Sequence, residues 1–330
     1  MNNELDSMKR QLATYPFICI LSLCTMLVTA CRRDEVYEGP CEVSFSAAVQ
    51  SEIQVSRGYA AFPDGYEDFT SALIIANASL NNISPMEYSN RQFTTKVRLE
   101  AGDYHIYGFM PWTDEGSFNS STKVMTVPGI PSISEHDAML IKHQSLRIEQ
   151  GDDEKSVELQ MDHLMARVTP YFYLHEKYDS LRTIKIKQVE FVYAVAPHYT
   201  AAVTYTDGNY GVDWTTAGTA TTDTMAVAYE EVTPEALTTT KGRQAYGSFY
   251  LCPAKPTTGL KMRVTYDVYD KEDDVNPVRK DRVVENKIKQ LPASVVAGTN
   301  YKLHIKVTPT YLYSLSDNDE ESLLLADDNI

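Results

Sequence analysis

No apolar run in these 330 residues reaches the length a spanning helix requires, which is ~20 residues. No Gly-rich phosphate loop and no Gly-x-Ser-x-Gly turn occurs, so two common enzyme signatures are missing. No motif places a pair of carboxylates, which leaves glycoside hydrolysis without support. Basic residues are short: Lys+Arg number 30 against 45 Asp+Glu, a formal net charge of −15. The charges of Glu4, Asp6, Lys9 and Arg10 cancel, so the chain beyond them carries the whole excess. Such a chain repels nucleic acid and anionic headgroups, and nucleic acid is excluded as a partner. Cysteine is scarce, with 5 in all, and only Cys41 and Cys252 lie well beyond the N-terminal region. Those two either pair in an oxidising compartment or remain as buried thiols. Glu135-His136-Asp137 and His143 match no standard metal-ligand spacing and read as solvated loop groups. His163, in an apolar stretch, reads as a core or edge histidine. The expectation is a non-enzyme with no cofactor, no metal and no catalytic residue.

What is present begins with Lys9-Arg10, an apolar run from Phe17 through Leu27, and Val28-Thr29-Ala30-Cys31. A charged start, a short apolar core and small residues describe a secretory signal. Cys31 directly after the small residues resembles the lipobox of bacterial lipoproteins. That resemblance implies cleavage between Ala30 and Cys31, acylation of Cys31, and a body held at a membrane. Acyl chains contribute about 0.8 kcal/mol per buried CH2, so several on one residue anchor firmly. Glu4 and Asp6 are odd in such a leader. Either Met8 is the true start or the first seven residues are inert. Arg32-Arg33-Asp34-Glu35 reads as a solvated tether. It also resembles the acidic export signal of surface lipoproteins.

From Cys41 onward the patterning is that of strands. Tyr (22) outnumbers Phe (10), and Val and Thr are frequent, a composition that favours sheets with half-buried faces. Residues 41–47 and 93–99 alternate apolar with polar, the period of a half-buried strand. Residues 72–76 read as a buried strand and 77–85 as a loop. Ala101-Gly102-Asp103 is expected to turn the chain, making residues 93–110 a hairpin. Residues 124–127, 138–141 and 157–161 follow, with a break at Pro128–Pro131. A second set starts near His163, with Pro170 marking an edge or bulge. In residues 184–193 the apolar face switches midway, which predicts a bulge or a passage between two contact surfaces. Thr215–Thr224 reads as a flexible insertion. Strands return at 246–251, 260–269, 282–288 and 301–307. No long amphipathic helix is expected. Leu99–Ile106 is echoed by Val296–Leu303, each a turn followed by a strand starting at Tyr. Many short strands predict antiparallel sandwiches. The acidic end from Asp317 has the composition of a disordered tail, yet Leu323-Leu324-Leu325 interrupts it.

Cys31, Val43-Ser44-Phe45, Ala101-Gly102-Asp103-Tyr104, Met161 to Val168 and Ala297-Gly298-Thr299-Asn300-Tyr301 together resemble the fimbrillin-like surface lipoproteins of Gram-negative bacteria. The resemblance implies an all-β chain of two tandem transthyretin-like antiparallel β-sandwich domains. Residues 1–30 would be the signal peptide, 31–40 a tether, 41–162 and 163–316 the sandwiches, and 317–330 an acidic tail. It implies a structural, accessory or anchor component of an adhesive fimbria, assembled by β-strand exchange. Its partners would be other fimbrial subunits, the outer membrane through the lipid, and surface glycans or proteins. Assembly subunits of that family are cut after an Arg beyond the first strand. Arg57 stands at such a place, though it also reads as an ordinary loop residue. Uncut, the chain would keep its lipid and act as an anchor or accessory subunit. Tyr311, Tyr313 and Leu315 alternate and are candidates for a donor strand. The rival expectation is a glycan-binding surface lipoprotein, with Trp112 and Trp214 as sugar platforms.

Overall fold

The structure, a computed structural model, describes residues 39–50, 59–60, 66, 69–206, 208–230 and 234–307, with strand segments at 312–315 and 323–325. Nearly all of it is strand; α1 (Glu176–Asp179) is a single turn, with the His175 side chain accepting from the Lys177 amide at 3.1 Å. The first sheet contains β1 (Cys41–Gln50), β2 (Tyr59–Ala60), β3 (Ser71–Ala76), β4 (Asn81–Ser89), β5 (Gln92–Leu99) and β6 (Gly102–Met110). β7 (Ser117–Asn119), β8 (Val124–Pro131) and β9 (Ile133–Ser134) leave for other sheets, and β10 (Met139–Ile148) and β11 (Glu154–His163) return to the first. Its order is β11-β10-β6-β3-β4-β5-β1-β2, and β11 also pairs with β1. The sheet therefore closes on itself, parallel at the β1–β11 seam and antiparallel elsewhere. Closure removes the free edges that an open sheet would present. Inside the ring lie Val43, Phe45, Leu73, Ile75, Phe93, Ile106, Ile141, Leu159 and Met161.

Beyond the ring the chain forms β12 (Ala166–Leu174), β13 (Arg182–Thr206), β14 (Asn209–Glu230), β15 (Gln244–Ala245) and β16 (Phe249–Leu251). β17 (Lys261–Asp270), β18 (Asp273–Lys287), β19 (Asn300–Val307), β20 (Leu312–Leu315) and β21 (Leu323–Leu325) complete it. One sheet runs β18-β17-β13-β8-β7, with β14 also on β13; the other runs β21-β20-β19-β12-β16-β9, with β15 on β12. Val168, Phe172, Phe249, Ile305 and Val307 of the latter meet Ile186, Val189, Phe191, Val264 and Tyr266 of the former in a second core. Residues 41–162 and 163–316 are not sealed from one another, because β8 pairs with β13 and β9 with β16.

β13 accounts for that interlock. Its first half lines the second core through Ile184, Ile186, Val189, Phe191 and Tyr193. The expected switch of face is present: Ile186 stands opposite Tyr266 and Gln188 opposite Thr265, so Lys187 is an extra residue. Its second half brings Tyr199, Ala201, Val203 and Tyr205 onto the outside of the ring, against Ile74, Tyr107, Phe109 and Leu140, in a third core. Pro128-Gly129 does not break β8. Ile130 pairs with Tyr199 and Val127 with Ala201, and Gly129 at φ 83° supplies the intervening bulge.

Three further expectations are corrected. Residues 93–110 are not a hairpin: β5 pairs with β4 and β1, while β6 pairs with β3 and β10. Glu100-Ala101 carries the chain across the ring instead. Residues 81–85 belong to β4 and not to a loop. Only Met86 of that strand is buried, so it lacks an apolar alternation to read. Thr215–Thr224 lies within β14, in register with β13 on both sides of a bulge at Gly218-Thr219-Ala220.

Candidate functional site

β1 closes the ring, antiparallel to β5 on one edge and parallel to β11 on the other. Cys41, Val43, Phe45 and Ala47 point inward and are buried, while Glu42, Ser44 and Ser46 face outward. The period of two in the sequence produces this division directly. Burial of Val43 or Phe45 contributes on the order of 1.5–3 kcal/mol each. Val43 sits opposite Val97 of β5 and Lys155 of β11, and Phe45 opposite Thr95 and Val157. Removing β1 would leave two unpaired edges and vacate the space of its inward side chains. On the outer face Lys96 Nζ meets Glu42 Oε1 at 2.7 Å. That hydrogen bond and its charge hold the Glu42 carboxyl below its ordinary range and raise Lys96. Lys96 was not singled out from the sequence. Its only signal there is an opposite charge on the polar face of a neighbouring alternating run.

The C-terminal strands lie at the far edge of the third sheet. β19 runs parallel to β12, and β20 adds antiparallel to β19, with Tyr313 opposite Lys306 and Leu315 opposite His304. β21 pairs with β20, so Leu323-Leu324-Leu325 extends the sheet within the acidic end. Among the described strands, β20 pairs with β19 and β21, and β21 pairs with β20. Tyr311 lies outside the described residues, as do Ala30, Cys31 and Arg57.

The other residues marked in the sequence are mostly structural. Asp137 is not solvated: its side chain is buried, Oδ2 lies 2.5 Å from His163 Nδ1, and Oδ1 accepts from the Met165 amide at 3.0 Å. The Asp137 amide donates to the Tyr66 hydroxyl at 3.3 Å, and the His136 ring packs on Tyr66 and Phe69. This network ties the β9–β10 loop to the β11–β12 junction. Trp112 and Trp214 are partly buried against the third core, with Trp214 edge-on to Tyr199. Cys41 and Cys252 are both free, buried thiols, one in the ring and one in the third core. Burial raises both, Cys252 to about 12. The sequence echo has a counterpart: the Tyr104 hydroxyl donates to the Glu100 carbonyl at 2.9 Å, and the Tyr301 hydroxyl accepts from the Val296 amide at 3.2 Å. Gly298 has φ 67°, as its turn needs, whereas Gly102 does not adopt a positive φ.

No protein-family model matches the chain, and no curated protein is similar to it in sequence. Solved structures do resemble it. A Bacteroides uniformis protein named for cell adhesion is 14% identical, with 86% of this chain and 98% of that chain covered and a TM-score of 0.43. A fimbrial assembly protein of Parabacteroides distasonis is 13% identical, with 86% and 98% covered and a TM-score of 0.37. A Bacteroides thetaiotaomicron protein named for polysaccharide binding is 9% identical, with 85% and 99% covered and a TM-score of 0.36. All three are distant, and the functional reading rests on this chain's own residues.

Proposed function

We propose that the protein is a structural, accessory or anchor component of a cell-surface fimbria, tethered to the outer membrane through Cys31 and joined to other subunits by strand exchange. The observation that carries this reading is the position of β1: first among the described strands, paired on both edges, and supplying alternate side chains to the ring's core. A strand so placed can leave as a unit and be replaced by an extended segment of the same pattern, because main-chain bonds and alternate pockets are all it contributes. Arg57 follows β1. Cleavage there would release β1 together with the lipid and open the ring. Without cleavage β1 stays, the ring stays closed, and the chain serves as the lipid-bearing base. The segment around β20 is the donor, leaving its own edge position for a neighbour's ring. The role is mechanical and adhesive, not catalytic.

The test is the mature N-terminus of the protein purified from surface appendages and from the membrane fraction. An acylated Cys31 identifies a base component, and an N-terminus at Gly58 identifies a polymerising one. Absence of the protein from every appendage, with the chain folded and displayed, would sink the fimbrial reading.

A further inference from the structure

We propose that His105 and His143 form a binding site for a divalent transition-metal ion of the kind imidazole prefers, Cu2+, Ni2+ or Zn2+. The site follows from an irregularity in β10. Ile141 stands opposite Gly108 of β6 and Gln144 opposite Ile106, so Lys142 and His143 share the place facing Tyr107. A bulge of this kind re-aims a side chain. Here it turns His143 to the outer face beside His105, whose own register partner is Ser145, and the two rings meet with Nε2 of His143 2.9 Å from Nδ1 of His105.

The nitrogen spacing suits chelation, and a tilt of the His105 ring out of its hydrogen bond to His143 would bring both nitrogens onto one ion. Imidazole nitrogens bind zinc at about 2.0–2.1 Å, so two in adjacent coordination positions stand about 3 Å apart. The ring centroids are 5.0 Å apart with planes at 38°. The His143 ring is fixed before any ion arrives, stacked on Tyr107 at 5.1 Å and 23°. Tyr107 is itself wedged between Phe118 at 4.7 Å and Tyr205 at 4.6 Å in the third core. Both histidines are only half-buried, which leaves a path for the ion. The adjacent cation, Lys142, is turned to Asp162 at 3.1 Å, which compensates its charge.

An imidazole pair favours copper, nickel and zinc over magnesium and calcium, which want oxygen ligands. Among the described residues no group of three or more His, Cys, Asp or Glu is placed to hold a metal. The described residues therefore give two ligands and water gives the rest, an open and exchangeable site. In the resting pair one N–H lies between the two facing nitrogens. Binding moves that proton to the far nitrogen of its own ring. The shift within one ring frees both facing nitrogens and leaves the number of protons on the pair unchanged.

The test uses the chain from residue 31 onward with Cys31→Ser, so that no terminal thiol binds or reduces copper, and the metal alone. Calorimetric titration with CuSO4 at pH 7.5 is expected to show one site, with MgCl2 giving none. His105→Gln and His143→Gln should each weaken it by more than about tenfold, since even the outer partners of metal ligands cost about 10–100-fold when lost. His198→Gln, at an exposed position on β13, should leave it unchanged. Electron paramagnetic resonance of the wild-type copper complex should show nitrogen coupling from two imidazoles, and this decides the matter where a variant does not fold. Copper binding that persists in the double variant, no binding by the wild type, or coupling from fewer than two imidazoles would each overturn the proposal.

Discussion

The hydroxyl of Tyr205 on β13 donates to the main-chain carbonyl of Ile141 on β10 at 3.4 Å. The bond joins the second half of the long strand to the wall of the ring, within the third core. Two bodies that share a core in this way should not unfold separately. Chemical denaturation followed by fluorescence and by circular dichroism is expected to give one coincident transition. Tyr205→Phe, which removes only the hydroxyl, should cost about 1 kcal/mol. Tyr205→Ala, which also empties the space, should cost about 3–5 kcal/mol. Two separated transitions in the wild type would show that the third core does not couple the halves.

β1 should be exchangeable once freed from the chain. With a specific protease site placed after Arg57, cutting the folded protein and adding a labelled peptide of residues 41–50 is expected to give uptake, read by fluorescence anisotropy. The same peptide with Phe45→Asp should fail, because it would carry an unpaired charge into the ring. Equal uptake of both peptides would mean that the pockets of the ring are not what recognises the strand.

The outer face of that seam is acid-sensitive. Glu42 has its carboxyl lowered by Lys96, so the stabilisation is present above the unfolded carboxyl's range and is lost as pH falls through the lower folded value. Denaturant midpoints of wild type and Lys96→Met should differ at pH 7 and begin to converge below the unfolded carboxyl's range, about 4.3, meeting only below the lower folded value. The difference should be small, because exposed ion pairs contribute little and are screened by salt. A constant offset across that range would assign the effect of Lys96 to packing and not to charge.

Cys31→Ser should move the protein from the membrane fraction to the soluble fraction and abolish incorporation of labelled fatty acid. Unchanged retention together with labelling would remove the lipid tether from the proposed function.

Deletion of residues 310–330 strips β20 and β21 from the edge of β19. A donor role predicts a folded, displayed monomer that no longer enters polymers. Loss of the folded state would instead make these strands a cap of their own sheet, and normal incorporation would leave them with neither role.

How much of this was legible depended on whether burial followed a single period. Ile184, Ile186, Val189 and Phe191 announce a bulge by the step from two residues to three, and the bulge is there at Lys187. β4 hid because water lies on most of it, and because its turn into β5 uses Asn90 and Arg91 at φ 52° and 61° in place of a glycine. Asn is an ordinary occupant of such a turn, but Arg is not. The hairpin expected at 93–110 failed because two consecutive strands with a short link can belong to opposite walls of a closed sheet, and local pattern cannot tell the cases apart. Thr215–Thr224 was misjudged on composition, although Asp207-Gly208 just ahead of it is a strong hairpin-turn signal. The meeting of His105 with His143 was not legible at all, since it needs both the pairing of β6 with β10 and an extra residue in one of them.

The length of β13 has a mechanical consequence. Its 25 residues would extend about 80 Å at the usual rise per residue, and they run without interruption from the second core into the third. Tension applied along that axis loads the hydrogen bonds to β8, β14 and β17 in parallel, as a shear, and does not peel them one after another. Pulled along that axis, the protein would therefore resist as one piece, and the first element to yield under load would be a short strand at a sheet edge, not the long one that joins the cores.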